Sequence, residues 1–187
     1  MRNFQFSEDG MDWVNKELKF CKNLATKPDV INFKNYLNNL WTNVAMMDYP
    51  YSTSFLMPLP GNPVQAVCQA IKAKLDNNTL TNENRTIIRA IEAGVNVYNN
   101  FTGKAKCLNM DDEDQIGANM WDYQACTEMV MPMCFDNEND MFEKAAWNFT
   151  AFREDCKARW KVEPRPHMAD TIYGAKKLYA ASNIIFR

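Results

Sequence analysis

Apolar residues recur at helical spacing through the first hundred positions. Met11, Val14, Leu18 and Cys21 fall three and four apart, which predicts an amphipathic helix. Pro28 sits where a first helical turn tolerates proline. Val30, Phe33, Leu37, Leu40, Val44 and Met47 then alternate threes and fours, the clearest helix in the chain. Val64, Val67, Ile71 and Leu75, with Cys68 beside them, predict a third helix; Ile87, Ile91, Val95 and Tyr98 predict a fourth. Between the second and third, Asp48 to Pro63 carries Pro50, Pro58, Pro60 and Pro63, which remove backbone donors and impose a structured loop. The polar run Asp76 to Arg85 reads as a solvated turn. Helices joined by such short connections predict an antiparallel bundle.

Beyond Tyr98 the texture changes. Asn99 to Met120 is polar, and its acidic run Asp111, Asp112, Glu113 and Asp114 predicts a solvated loop. Trp121 to Cys134, WDYQACTEMVMPMC, concentrates sulfur and aromatic surface, with Met129, Met131 and Met133 at alternate positions. Its periodicity names no element, because an apolar stretch with one proline and Glu128 fits the core of many folds. Asn148 is placed to cap a helix whose Phe149, Phe152, Cys156 and Trp160 share a face. Ser182 to Phe186, short and β-branched, predicts a buried strand. Such a strand needs neighbours on both edges, so the second half is expected to fold poorly alone.

At 187 residues the chain is long enough for one ordinary domain with a real core. Its 21 basic and 23 acidic residues lack the basic excess that phosphate-backbone binding needs, so no nucleic-acid partner is expected. Apolar runs break before the roughly 18 residues of a membrane span. MRNFQFSEDG lacks a signal-peptide core, yet N-x-T sequons at Asn77, Asn84, Asn100 and Asn148 point to the secretory pathway. Cys21, Cys68, Cys107, Cys126, Cys134 and Cys156 form no C-x-x-C pair, and the single His167 is distant in sequence. Disulfides are therefore expected, with no metal and no cofactor. The alternating methionines suit copper chemically but have no nearby His or Cys pair. A secreted character without a signal sequence leads to the expectation that the true amino terminus lies upstream.

The string Trp121 to Cys134 resembles a W-x-Y-Q-A-C-T-E segment of the prolyl carboxypeptidase and dipeptidyl peptidase family, lysosomal and secreted serine exopeptidases that cleave after proline. Similar strings follow the same order at Trp41 to Pro60, Lys106 to Asn109, Asp140 to Phe142, Pro164 to Pro166 and Ser182 to Phe186. The ending VMPMC is similar to the prolyl carboxypeptidase branch. The resemblance implies a mainly α chain: a helical lid over residues 1–98, then an incomplete segment of an α/β-hydrolase core over 99–187. It implies a peptide substrate with proline near one end, a lysosomal or secreted location, and a homodimer as one arrangement of the intact enzyme. Whether the amino or the carboxyl end of the substrate is recognised stays open.

Acyl-transfer chemistry needs a serine activated by histidine, an orienting acid and oxyanion donors. Ser7, Ser52, Ser54 and Ser182 lie in no G-x-S-x-G elbow, and His167 sits between proline-rich turns. The resemblance places the serine upstream of residue 1 and the acid and histidine beyond residue 187. Arg187 departs from the serine with which the family continues. The chain is thus expected to be a fragment with no catalytic residue of its own. What the resemblance implies here is a substrate pocket: Met131, before Pro132, against the proline ring, with Trp121, Tyr123 and Glu128 of the same motif in unassigned roles. A thioether suits an apolar, adaptable wall. The family's bridges imply the pairs Cys21–Cys107 and Cys126–Cys156, with partners for Cys68 and Cys134 upstream. Two other readings remain. One is a noncatalytic secreted helical binding module or pseudoenzyme. The other, a compact six-cysteine lipid-binding domain, fits badly because these cysteines spread over 136 positions.

Overall fold

The three-and-four spacing is realised as helices in a computed structural model that describes residues 8–77, 83–110 and 118–185. The chain is mainly helical. Among the described residues, β-structure is confined to three isolated bridges. The acidic run 111–114, Ser7, Thr79 and Phe186 lie outside the described residues. No helix among them is long and apolar enough to cross a membrane. The chain divides into two units, Met1–Glu113 and Asp114–Arg187.

The first unit holds α1 (Glu8–Leu18), α2 (Lys27–Met46), α3 (Pro63–Asp76) and α4 (Glu83–Asn99). Its centre is Phe33, Leu37, Leu40 and Val44 of α2, packed with Val14, Leu18, Val67 and Val95. α2 begins with a capping box: the Asp29 backbone N–H donates to the Thr26 hydroxyl, while the Asp29 carboxylate accepts from the Thr26 N–H at 2.7 Å. α3 starts differently. Asn62 is left-handed at φ 50° and caps nothing, so Asp48, sixteen residues earlier, accepts from the Val64 N–H at 3.1 Å. Thr53 and Leu59 exchange backbone hydrogen bonds of 3.2 and 2.8 Å across the proline-rich loop, which buries Leu59. α4 packs along α3 and against α1 and α2. A Cβ on Gly94 would stand 3.0 Å from Ile71 and 3.1 Å from Trp41, so the small residue permits that approach.

Four expectations about this unit change. α1 ends at Leu18, and the left-handed Lys19 turns the chain away, leaving Cys21 outside the helix. On α4 the core residue is Ile88, 5% exposed, whereas Ile87 is 43% exposed. Spacing explains the swap: Ile88, Ile91, Val95 and Tyr98 follow 3.6-residue turns, while fours from Ile87 drift by about 40° per step. Leu75, at the end of α3, is likewise exposed. Residues 99–110 belong with the helices. Cys21 N–H donates to Leu108 O and Leu108 N–H to Lys19 O, both at 2.9 Å, beside a Cys21–Cys107 disulfide.

The second unit holds α5 (Ala118–Thr127), α6 (Phe149–Trp160), α7 (Met168–Tyr173) and a 3-10 turn at Leu178–Ala180. Asn148 caps α6 as its chemistry predicts, accepting from the Ala151 N–H at 3.1 Å. Of the predicted face, Cys156 is fully buried and Phe149 is exposed. α5 and α6 pack together through the Cys126–Cys156 disulfide, both of whose residues are 0% exposed. The strand expected at Ser182 to Phe186 is not formed over its described residues. Ile184 and Ile185 are 59% and 88% exposed, and among the described residues no neighbouring strand takes up their backbone groups.

Candidate functional site

Helical geometry gathers the motif residues that the sequence lists in a row. Trp121, Gln124 and Glu128 stand three and four apart, so α5 and the residue after it turn them to one side. With Met120, Tyr123, Thr127 and Arg165 they line an open hollow of about 570 Å³ in the second unit. Its two ends differ in chemistry. Met120 and Trp121, the latter 50% exposed, form an apolar end. At the other end Arg165 donates from Nη2 to Glu128 Oε1 at 3.2 Å.

The hollow is braced from beneath. Tyr123 meets Trp160 of α6 edge to face, with ring centroids 5.7 Å apart. Arg159 bridges α5 and α6, donating to Asp122 at 2.7 Å and to Asp155 at 2.5 Å. Asp155 first and Asp122 second hold its pKa above the ordinary guanidinium value. After α6, Lys157 and Arg153 both pair with Glu163, and in that order they lower its carboxyl. Pro164 is buried, so the chain is fixed where Arg165 leaves it.

Of the four pocket residues that the resemblance implied, Trp121, Tyr123 and Glu128 line the one hollow. Met131 is not among its lining residues and is 37% exposed. Arg165 was missed. It lies 37 residues from Glu128, and only its place in the P-R-P string hinted at a role. His167 is exposed at the start of α7 and makes no side-chain cap bond. A separate hollow of about 280 Å³ in the first unit is lined by five asparagines, among them Asn23, Asn32 and Asn35, together with Lys22, Asp29 and Tyr36.

The disulfides pair as the resemblance implied, Cys21 with Cys107 and Cys126 with Cys156. Cys68 and Cys134 are free and exposed. Among the sequons, Asn84 and Asn148 are exposed and Asn100 is half-buried. Asn100 and Asn148 accept through Oδ1 from the Ala105 and Ala151 N–H groups. Asn77 donates from its side-chain amide to Ala73 O at 2.9 Å.

Comparison with known proteins agrees with the motif. The serine carboxypeptidase S28 family matches residues 1–187. Lysosomal Pro-X carboxypeptidase of Bos taurus is 42% identical over 179 residues, covering 95% of this chain and 35% of the bovine protein. The Homo sapiens protein of the same name is 39% identical over the same coverage. Prolyl carboxy peptidase like protein 5 of Caenorhabditis elegans is 31% identical over 197 residues, covering 96% of this chain and 38% of the worm protein. The chain spans about a third of the length of these relatives. Matched from its first residue to its last, the chain belongs to the serine carboxypeptidase S28 family.

Proposed function

We propose that these residues form the lid and one wall of the substrate cleft of a serine exopeptidase of the prolyl carboxypeptidase type, acting in the lysosome or outside the cell. The serine, acid and histidine come from sequence outside the 187 residues. The observation that carries this reading is the gathering of Trp121, Tyr123 and Glu128 around one hollow. A flat apolar end against a charged end suits a peptide with a proline ring on one side and a polar terminus on the other. Met131 adds the adaptable apolar surface nearest that ring in the complete cleft. The exposed apolar side chains of the second unit, Ile184 and Ile185 among them, support a surface that the rest of the enzyme covers. Residues 1–98 serve as the lid, and the two disulfides fit an oxidising compartment.

The test has two arms. The 187-residue chain should neither hydrolyse a prolyl peptide nor react with a serine-directed phosphonate; acylation would show a nucleophile within it. In the full-length enzyme, Trp121→Ala or Met131→Ala should lower kcat/KM for a prolyl substrate by roughly 10- to 100-fold, the loss of an apolar wall. Unchanged kinetics would remove both from the cleft. A noncatalytic binding module is the second reading, favoured by the first unit's own buried core and disulfide. A native secreted product of 21.7 kDa plus glycans would select it.

A further inference from the structure

The charged end of the hollow holds more donors than its own groups use. Glu128 takes one N–H of the Arg165 guanidinium, at 3.2 Å, and a guanidinium carries five in a fixed fork. The Gln124 amide, beside it in the lining, is bonded to no side chain or backbone group among the described residues. Among the described residues, no other charged side chain lines the hollow. We infer that Arg165, with Gln124, captures the terminal carboxylate of the peptide, while the apolar body of its last residues lies toward Trp121 and Met120. This rests on the hollow being part of the substrate cleft.

Stoichiometry of donors and acceptors chooses between the two ends of a peptide. A carboxylate needs up to four donors, and four guanidinium N–H groups plus the two of Gln124 are uncommitted. An ammonium needs three acceptors, and Glu128 already spends part of its capacity on Arg165. Bidentate Arg–carboxylate pairing is also the stronger, more directional contact. The root of the arginine is fixed. Pro164 before it is buried, Pro166 follows it, and its own carbonyl accepts from the Met168 N–H at 3.1 Å. Little ordering is therefore left to complete when the ligand arrives.

The experiment measures binding of alanyl-prolyl-phenylalanine to the full-length enzyme, its nucleophilic serine replaced by alanine to prevent turnover, by isothermal calorimetry, comparing the free acid, its carboxyl amide and its N-acetyl form. The free acid should bind at least about tenfold tighter than the amide, as expected for charge-assisted hydrogen bonds. N-acetylation should change little. Arg165→Gln should abolish the difference between acid and amide, and Arg165→Lys should restore part of it. Glu128→Gln should keep the preference and tighten the acid, because it removes the competing carboxylate. Equal binding of acid and amide by that enzyme with Arg165 in place would overturn the inference. So would a preference that survives Arg165→Gln, or binding lost on acetylation alone. Replacing proline by alanine separates the two proposals. If that swap weakens binding while amidation does not, the cleft stands and Arg165 falls; if no peptide binds, both fall.

Discussion

The Cys126–Cys156 bridge is the centre of the second unit, and its removal has a calculable consequence. Among the described residues of that unit, only Cys126, Cys156 and Pro164 are buried. The hydrophobic contribution that would hold α5 on α6 without the bridge is therefore small. The bridge joins residues 30 apart, and restricting an unfolded loop of that length stabilises by about 3.6 kcal/mol in the chain-entropy treatment. Cys126→Ala with Cys156→Ala avoids leaving a lone thiol. It should reduce hydrogen-exchange protection of α5 and α6 amides by up to roughly 400-fold, at tenfold per 1.4 kcal/mol. Amides of α2, inside the first unit with its own disulfide, should exchange as before. Mass-spectrometric exchange resolves both sets in one sample. Protection of α5 and α6 within a factor of about five of the original would refute the reasoning.

Three further outcomes follow from the geometry. Asn15 is buried and clasps Leu24 twice, donating to its carbonyl at 3.0 Å and accepting from its N–H at 2.9 Å. Asn15→Leu leaves both backbone groups unpaired and should cost about 2–4 kcal/mol in urea unfolding of the first unit. Asn148→Ala should cost α6 about 1 kcal/mol through the lost cap, whereas Thr150→Ala destroys the same sequon and should melt like the original. The Asp136 carboxylate accepts from the Asn139 side chain and from the N–H groups of Asn139 and Glu138, each at 2.8 Å. These bonds lower its pKa from 3.8 to about 2. Because the ionised form is the bonded one, the turn is fully held above pH 3.8 and released as pH falls through about 2. The amide shifts of Glu138 and Asn139 should follow that titration, and Asp136→Asn should flatten it.

Periodicity made the first unit legible because its helices bury one stripe each, and burial is what the three-and-four pattern records. The method fails by one position at Ile87 and Ile88, where two adjacent isoleucines offer competing registers. It gave no sign of α5. Met120, Trp121, Tyr123 and Cys126 do not lie on a single stripe, and the structure leaves the first three exposed while burying the fourth. The strand at Ser182 was read from composition alone. β-Branched residues favour a strand only when another backbone is there to pair with. Six cysteines allow fifteen pairings, and spacing could not choose among them; the two bridges were reachable only through the family resemblance. Trp121, Tyr123 and Glu128 were likewise named by motif, but their common hollow depends on a helix that the pattern hid. Arg165 reaches it from a different element, through tertiary contact that no local pattern encodes.

The most direct test is an amide-shift titration of the isotope-labelled chain with a prolyl peptide. Perturbations should concentrate on Met120 to Glu128 and on Arg165, and shrink when alanine replaces proline. Shifts confined to the first unit, or identical responses to the prolyl and alanyl peptides, would contradict a proline-accepting wall built on α5.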